Sequence, residues 1–151
     1  MAKEIERKFL IEGEISPDLG QQKLIKQGYV LLEKNKQLRV RVIDHQGFIC
    51  LKYTKEKVRD EYEYEIPLID ALEILSKCKY KLEKIRTTIF PHNGDYVVDV
   101  DTYPNGLTVA EVEFKSQEVC NSFKAPDWFG PEITGNKEYS NITLAKQKLH
   151  F

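Results

Sequence analysis

Long apolar runs are missing from this 151-residue chain, and so are most residues that announce familiar catalytic or metal chemistries. No stretch approaches the ~18 apolar residues needed to cross a bilayer. The charged N-terminus lacks the apolar core of a secretory signal. Cysteine is scarce: Cys50, Cys78 and Cys120 stand far apart, in no Cys-x-x-Cys pair. That excludes a zinc ribbon and leaves reduced, packed thiols in a cytoplasmic protein as the expectation. The three histidines, His45, His92 and His150, fall in turns and at the C-terminus, so no Ser, Cys or His nucleophile constellation gathers around them. A net charge of −1 removes bulk attraction to nucleic acid or membrane, and neither is expected as a partner. Oligomeric state is not legible, and a homodimer stays open.

What is present is charge in a pattern. With 41% hydrophobic and 31% charged residues, the chain reads as one globular domain over 1–151, long enough to bury a core without disulfides. Glu4-Ile5-Glu6-Arg7-Lys8-Phe9 alternates as a strand does, with Glu4, Glu6 and Lys8 on one face and Ile5, Arg7 and Phe9 on the other. Gly28–Leu32 reads as a second strand. Gln37–Ile43 sets Arg39 and Arg41 against Leu38, Val40 and Val42. Asp44–Gly47 is a hairpin turn in which Gly47 is expected to supply backbone freedom. Phe48–Thr54 carries Lys52, and Arg59–Ile66 sets Glu61, Glu63 and Glu65 against Tyr62, Tyr64 and Ile66.

After Pro67, apolar residues at helical spacing predict a helix over Leu68–Lys79. Strands return at Leu82–Phe90 with Lys84 and Arg86, at Asp95–Tyr103 with Asp99 and Asp101, and at Leu107–Phe114 with Glu111 and Glu113. Ser116 caps a short helix ending before Pro126, and a last helix is expected over Glu138–Leu149. The result is eight strands joined mainly by turns, with three short helices.

Seven of the eight strands carry charged residues on one face and apolar or aromatic residues on the other. Such strands could form an open antiparallel sheet with one wet face, or close into a barrel wide enough for a ligand. The signs are segregated strand by strand. If these strands line one cavity, the basic ones form a phosphate cradle suited to arginine forks. The acidic ones then form an all-oxygen site for Mg²⁺ or Mn²⁺. A merely structural ion-pair network would leave buried charges costing several kcal/mol each wherever they are unpaired.

The Glu4-Ile5-Glu6-Arg7-Lys8 stretch resembles the Glu-x-Glu-x-Lys signature of the CYTH superfamily, the triphosphate tunnel metalloenzymes. Arg39-Val40-Arg41, Lys52, Glu63-Tyr64-Glu65, Lys84-Ile85-Arg86, Asp99 and Glu111-Val112-Glu113 resemble its later motifs in order. Gly28-Tyr29, Trp128-Phe129-Gly130 and Lys137 with Tyr139 and Asn141 resemble its short bacterial members. The resemblance implies a mainly β, α+β fold: an eight-stranded antiparallel closed barrel whose tunnel binds a triphosphate, with helices packed outside.

It further implies a metal-dependent hydrolase of inorganic tripolyphosphate. An adenylate cyclase or a thiamine or nucleoside triphosphatase on the same tunnel is the alternative. A non-catalytic polyphosphate or nucleotide binder is the alternative from another class. By the same resemblance Glu4, Glu6, Asp99, Glu111 and Glu113 would hold the metal. Lys8, Arg39, Arg41, Lys52, Lys84, Arg86 and Lys137 would bind phosphate. Glu63, Glu65, Lys84 and Tyr29 would take part in catalysis. Whether Glu61 and Asp101 face the tunnel is left to the structure.

Overall fold

A computed structural model describes residues 4–13, 15–56 and 58–147. Its eight strands are β1 (Glu6–Leu10), β2 (Gln21–Leu32), β3 (Lys36–Ile43), β4 (Gln46–Lys55), β5 (Val58–Ile66), β6 (Tyr80–Ile89), β7 (Tyr96–Thr102) and β8 (Thr108–Phe114). They form one antiparallel sheet in the order β1-β8-β7-β6-β2-β3-β4-β5. Helices α1 (Leu68–Lys77), α2 (Gln117–Ser122) and α3 (Asn141–Lys146) complete the fold. Among the described residues no helix is long and apolar enough to cross a membrane.

The alternating pattern sorts side chains between two faces. On the outer face, α1 packs Ala71 against Val40 and Val42, while Phe9, Val98, Val100, Val112 and Phe114 join Cys120 of α2 in a second cluster. Gly47 lies in β4 and shows no positive φ; that conformation falls on Asp44, at φ 51°. A Cβ on Gly47 would stand 2.5 Å from the Ala71 Cβ, so this glycine is there to admit α1 and not to turn the chain.

Three further expectations need correction. Strand β2 begins at Gln21, seven residues before Gly28, because the polar stretch Gln21–Gln27 pairs along its length with β6. The expected helix over Glu138–Leu149 is a 3₁₀ turn, Lys137–Tyr139, followed by α3. Ser140 divides them, accepting from the Thr143 amide as an N-cap; Leu149 lies outside the described residues. Finally, α3 does not sit outside the sheet. Its Leu144 and Ala145 pack on Tyr29, Leu82, Tyr103 and Val109, residues whose register places them on the charged face.

The mainly β architecture is as expected, but the ladder is open: β1 and β5 are its edges. The reason is local. Residues 130–134 occupy the edge of β1 that closure would use. Gly130 N donates to Leu10 O at 2.7 Å, Leu10 N to Pro131 O at 2.9 Å, and Ile133 N to Lys8 O at 2.8 Å. Arg7 locks this strap from the outer face, its Nε and Nη2 donating to Glu132 at 3.1 and 2.6 Å. At the other end of the seam the two edges still meet through side chains, Glu4 against Glu61, so the sheet is curled with its charged face inward.

Candidate active site on the inner face

Register shows which charges share the inner face. Glu6 lies opposite Glu113 and Lys8 opposite Glu111; Asp99 lies opposite Glu111, and Arg86 opposite Asp101. On the other side Tyr29 pairs with Arg39 and Gln27 with Arg41. Arg39 is opposite Cys50, which is opposite Glu63, and Lys52 is opposite Glu61. A β-bulge between Tyr29 and Leu31 lets Tyr29 stay inward while Leu31 turns out; bulges re-aim side chains in this way.

The cations converge. Arg86 reaches Asp101 through Nε at 2.8 Å and Nη2 at 2.9 Å, with Asp99 and Glu111 each at 3.6 Å. Lys84 is fully buried with its ammonium 2.9 Å from Asp101. Arg39 stands 3.8 Å from both Glu61 and Glu63, and its Nε is buried without a hydrogen-bond partner among the described residues. Burial and then the charges of Arg39 and Arg86 push the Arg41 guanidinium down to about 10. Burial likewise takes Lys84 down to about 8, against the pull of Asp101. Arg86 is well supplied, its charge held firmly against burial by Asp101, Asp99 and Glu111; the shortage of anion falls on Arg39 and Arg41, and a phosphate chain would supply it.

The carboxylates show the opposite deficiency. Burial and then the charge of Glu61 raise Glu4 to about 7, and burial followed by Glu111 raises Glu6. Carboxylates held together against their own repulsion are an oxygen donor set suited to a hard divalent cation, so these residues fit such an ion. Asp101 differs. Burial opposes its charge, yet Lys84 and Arg86 hold it well below the usual carboxylate range. Both Asp101 and Glu61 therefore face inward, with Asp101 committed to the two cations beneath the site.

Not every expected residue joins the cluster. Glu65 is exposed and accepts from Gln46 Nε2 at 3.4 Å. Lys137 is exposed in its 3₁₀ turn, and neither residue forms an ion pair among the described residues. Gln27 went unnoticed in the sequence. Fully buried, it accepts from Arg41 Nε at 3.3 Å and donates to the Tyr29 hydroxyl at 3.2 Å. It stands just ahead of the Gly28–Leu32 strand expected from the sequence, within the stretch Gln21–Gln27 that the structure adds to β2. Cys50 also lines the face, its thiol pushed up to about 11 by burial, which makes it an inert packing group.

A curled antiparallel sheet with segregated cations and carboxylates on its inner face places the chain among the charge-lined β-tunnel proteins. More particularly, the chain belongs to the CYTH domain family, whose model matches residues 2–132. It is 40% identical to an inorganic triphosphatase of Acetivibrio thermocellus, over 97% of this chain and 95% of that one. It is 32% identical to an inorganic triphosphatase of Nitrosomonas europaea, over 94% and 96%. The crystal structure of an inorganic triphosphatase superposes with a TM-score of 0.72 at 30% identity, covering 97% of this chain and 96% of that one.

Proposed function

We propose that this protein is a divalent-metal-dependent phosphohydrolase that removes the terminal phosphate of inorganic tripolyphosphate. The observation that carries the reading is the buried pair Arg39 and Arg41 beside Arg86, with the Arg39 Nε left without a partner among the described residues and Arg41 held against its cationic neighbours. The names of the two curated relatives support it.

In this reading Arg39, Arg41, Lys52 and Arg86 bind the phosphate oxygens, with Lys8 and Lys84 at the end closed by α3. Tyr29, held by Gln27, orients the terminal phosphate. Glu63 orients the attacking water, with Glu65 further along the same strand. The water oxygen bonds to the terminal phosphorus as the bridging P–O bond breaks, yielding orthophosphate and pyrophosphate. Glu4, Glu6, Asp99, Glu111 and Glu113 would hold Mg²⁺ or Mn²⁺, which when bound neutralises phosphate charge. Lys137, beside the same end, screens the entering polyanion. Catalysis is then positioning and charge neutralisation, with no covalent nucleophile. Three buried, unbridged cysteines suit a reducing cytoplasm.

The test is orthophosphate release from tripolyphosphate, thiamine triphosphate and ATP, each with Mg²⁺ or Mn²⁺, and with Glu6→Gln as the control. Tripolyphosphate should be turned over fastest, and the variant should be inactive. Cyclic AMP and pyrophosphate from ATP, or tripolyphosphate that binds without turnover across the metal screen, would overturn the proposal.

A further inference from the structure

Residues 133–146 lie beyond the part of the chain that the family model matches, yet they hold two lysines of the phosphate set. Lys8 Nζ donates to Tyr139 O at 2.8 Å, and the Lys8 amide donates to Thr134 Oγ1 at 2.9 Å. Lys84 Nζ, besides its pair with Asp101, donates to Asn141 Oδ1 at 3.3 Å. The Tyr103 hydroxyl donates to the same oxygen at 2.6 Å. Asn141 Oδ1 therefore accepts from two donors, one in β6 and one just past the end of β7, which commits both its lone pairs and sets the plane of the amide.

Asn141 is itself held in place. It opens α3, whose first turn is closed by Ser140 Oγ accepting from Thr143 N at 3.2 Å. The next residues, Leu144 and Ala145, are buried. An ammonium carries three N–H donors on a flexible stem. Asp101 and Asn141 take two of them, from different elements, and so leave one direction for the third.

We infer that Asn141 is a positioning residue for Lys84, and that α3 is thereby a working part of the phosphate site and not merely its cover. This rests on the tripolyphosphate reading above. A lysine held by Asp101 alone could rotate about that contact. Held by both, it presents a donor whose orientation is settled before phosphate arrives, and misplacement by about 1 Å can cost 100-fold in rate.

Three variants test this: Asn141→Leu, which keeps the bulk and removes the acceptor; Asn141→Asp, which keeps an acceptor for both donors; and Ala71→Gly, which loosens α1 on the outer face without touching α3 or Lys84. The measurements are kcat and KM for tripolyphosphate, tripolyphosphate binding by calorimetry in EDTA, and melting temperature. Asn141→Leu should lower kcat about 10- to 100-fold while KM changes far less. Asn141→Asp should recover most of that loss, and Ala71→Gly should lower the melting temperature with kcat retained. An unchanged kcat in Asn141→Leu, or equal loss in both Asn141 variants, would overturn the inference. Should the wild type hydrolyse no triphosphate, the functional reading fails by itself. Asn141 is then judged on binding, where weaker tripolyphosphate binding in Asn141→Leu supports the role and unchanged binding refutes it.

Discussion

Replacing Asp101 by Asn would remove one charge and strand Lys84, whereas Arg86 keeps Asp99 and Glu111 at 3.6 Å. Asp101 is 1% exposed and meets Lys84, which is 0% exposed, at 2.9 Å; on its other side Arg86 docks at 2.8 and 2.9 Å. At an effective dielectric of 20, one such contact is worth roughly 6 kcal/mol of attraction, and desolvation of the ions offsets much of it. Breaking a buried pair while leaving its partner charged costs about 3–5 kcal/mol. Against the ~5–15 kcal/mol that holds a domain of this size together, that is a large fraction. Urea unfolding should show it directly, and the melting temperature should fall by about 6–20 °C.

The pH dependence carries a sign. Asp101 has a folded pKa well below its unfolded value of ~3.9. Its stabilisation is therefore complete above that unfolded value and is lost as pH falls through the folded one. Asp101→Asn should flatten the acid limb of a stability–pH profile and lower its plateau. Adding Lys84→Met to Asp101→Asn should restore part of the loss, because the stranded cation is gone. A variant within about 1 kcal/mol of wild type at neutral pH would refute the reasoning, since Lys84 would then have found another partner.

Arg39→Ala should cost about 10- to 100-fold in kcat/KM for tripolyphosphate, the worth of one or two charge-assisted hydrogen bonds, as measured by steady-state phosphate release. Glu6→Gln should weaken Mn²⁺ binding in calorimetry by more than the roughly 10–100-fold that loss of an outer hydrogen-bond partner costs. Without metal it should raise the melting temperature, because it relieves repulsion with Glu111. Gly130→Ala should cost about 1–3 kcal/mol, because its Cβ would meet Leu10 O at 2.8 Å. The loss should appear as faster amide exchange at Leu10 and Ile133, which the strap hydrogen-bonds.

The inner face was legible because alternation and charge coincide: Arg39 with Arg41, Lys84 with Arg86, and Glu111 with Glu113 each mark one side of one strand. Period two states which residues share a face, and that survived translation into structure. What alternation cannot state is which faces are capped. Nothing in the pattern of Ile142, Leu144 and Ala145 says that α3 rests on the charged face, since an apolar stripe reads the same wherever it packs. Nor could strand periodicity foresee that residues 130–134 would take the edge of β1, because those contacts are made by backbone groups that every residue carries. Gln27 was lost for a related reason. A polar residue inside a polar stretch is silent until a buried partner such as Arg41 gives it a purpose.

The pairing of β1 with its strap joins opposite ends of the chain: the Arg7–Glu132 contact spans 125 residues. A ribosome must therefore complete nearly the whole polypeptide before β1 can acquire neighbours on both sides. Contacts of such long range are closed late and slowly. The acidic wall of Glu4, Glu6, Glu111 and Glu113 is then the last part of the site to assemble, and a truncated or nascent chain would display the basic strands with only the carboxylates of β5 and β7 beside them. Such an intermediate would lack four of the five carboxylates proposed to hold the metal.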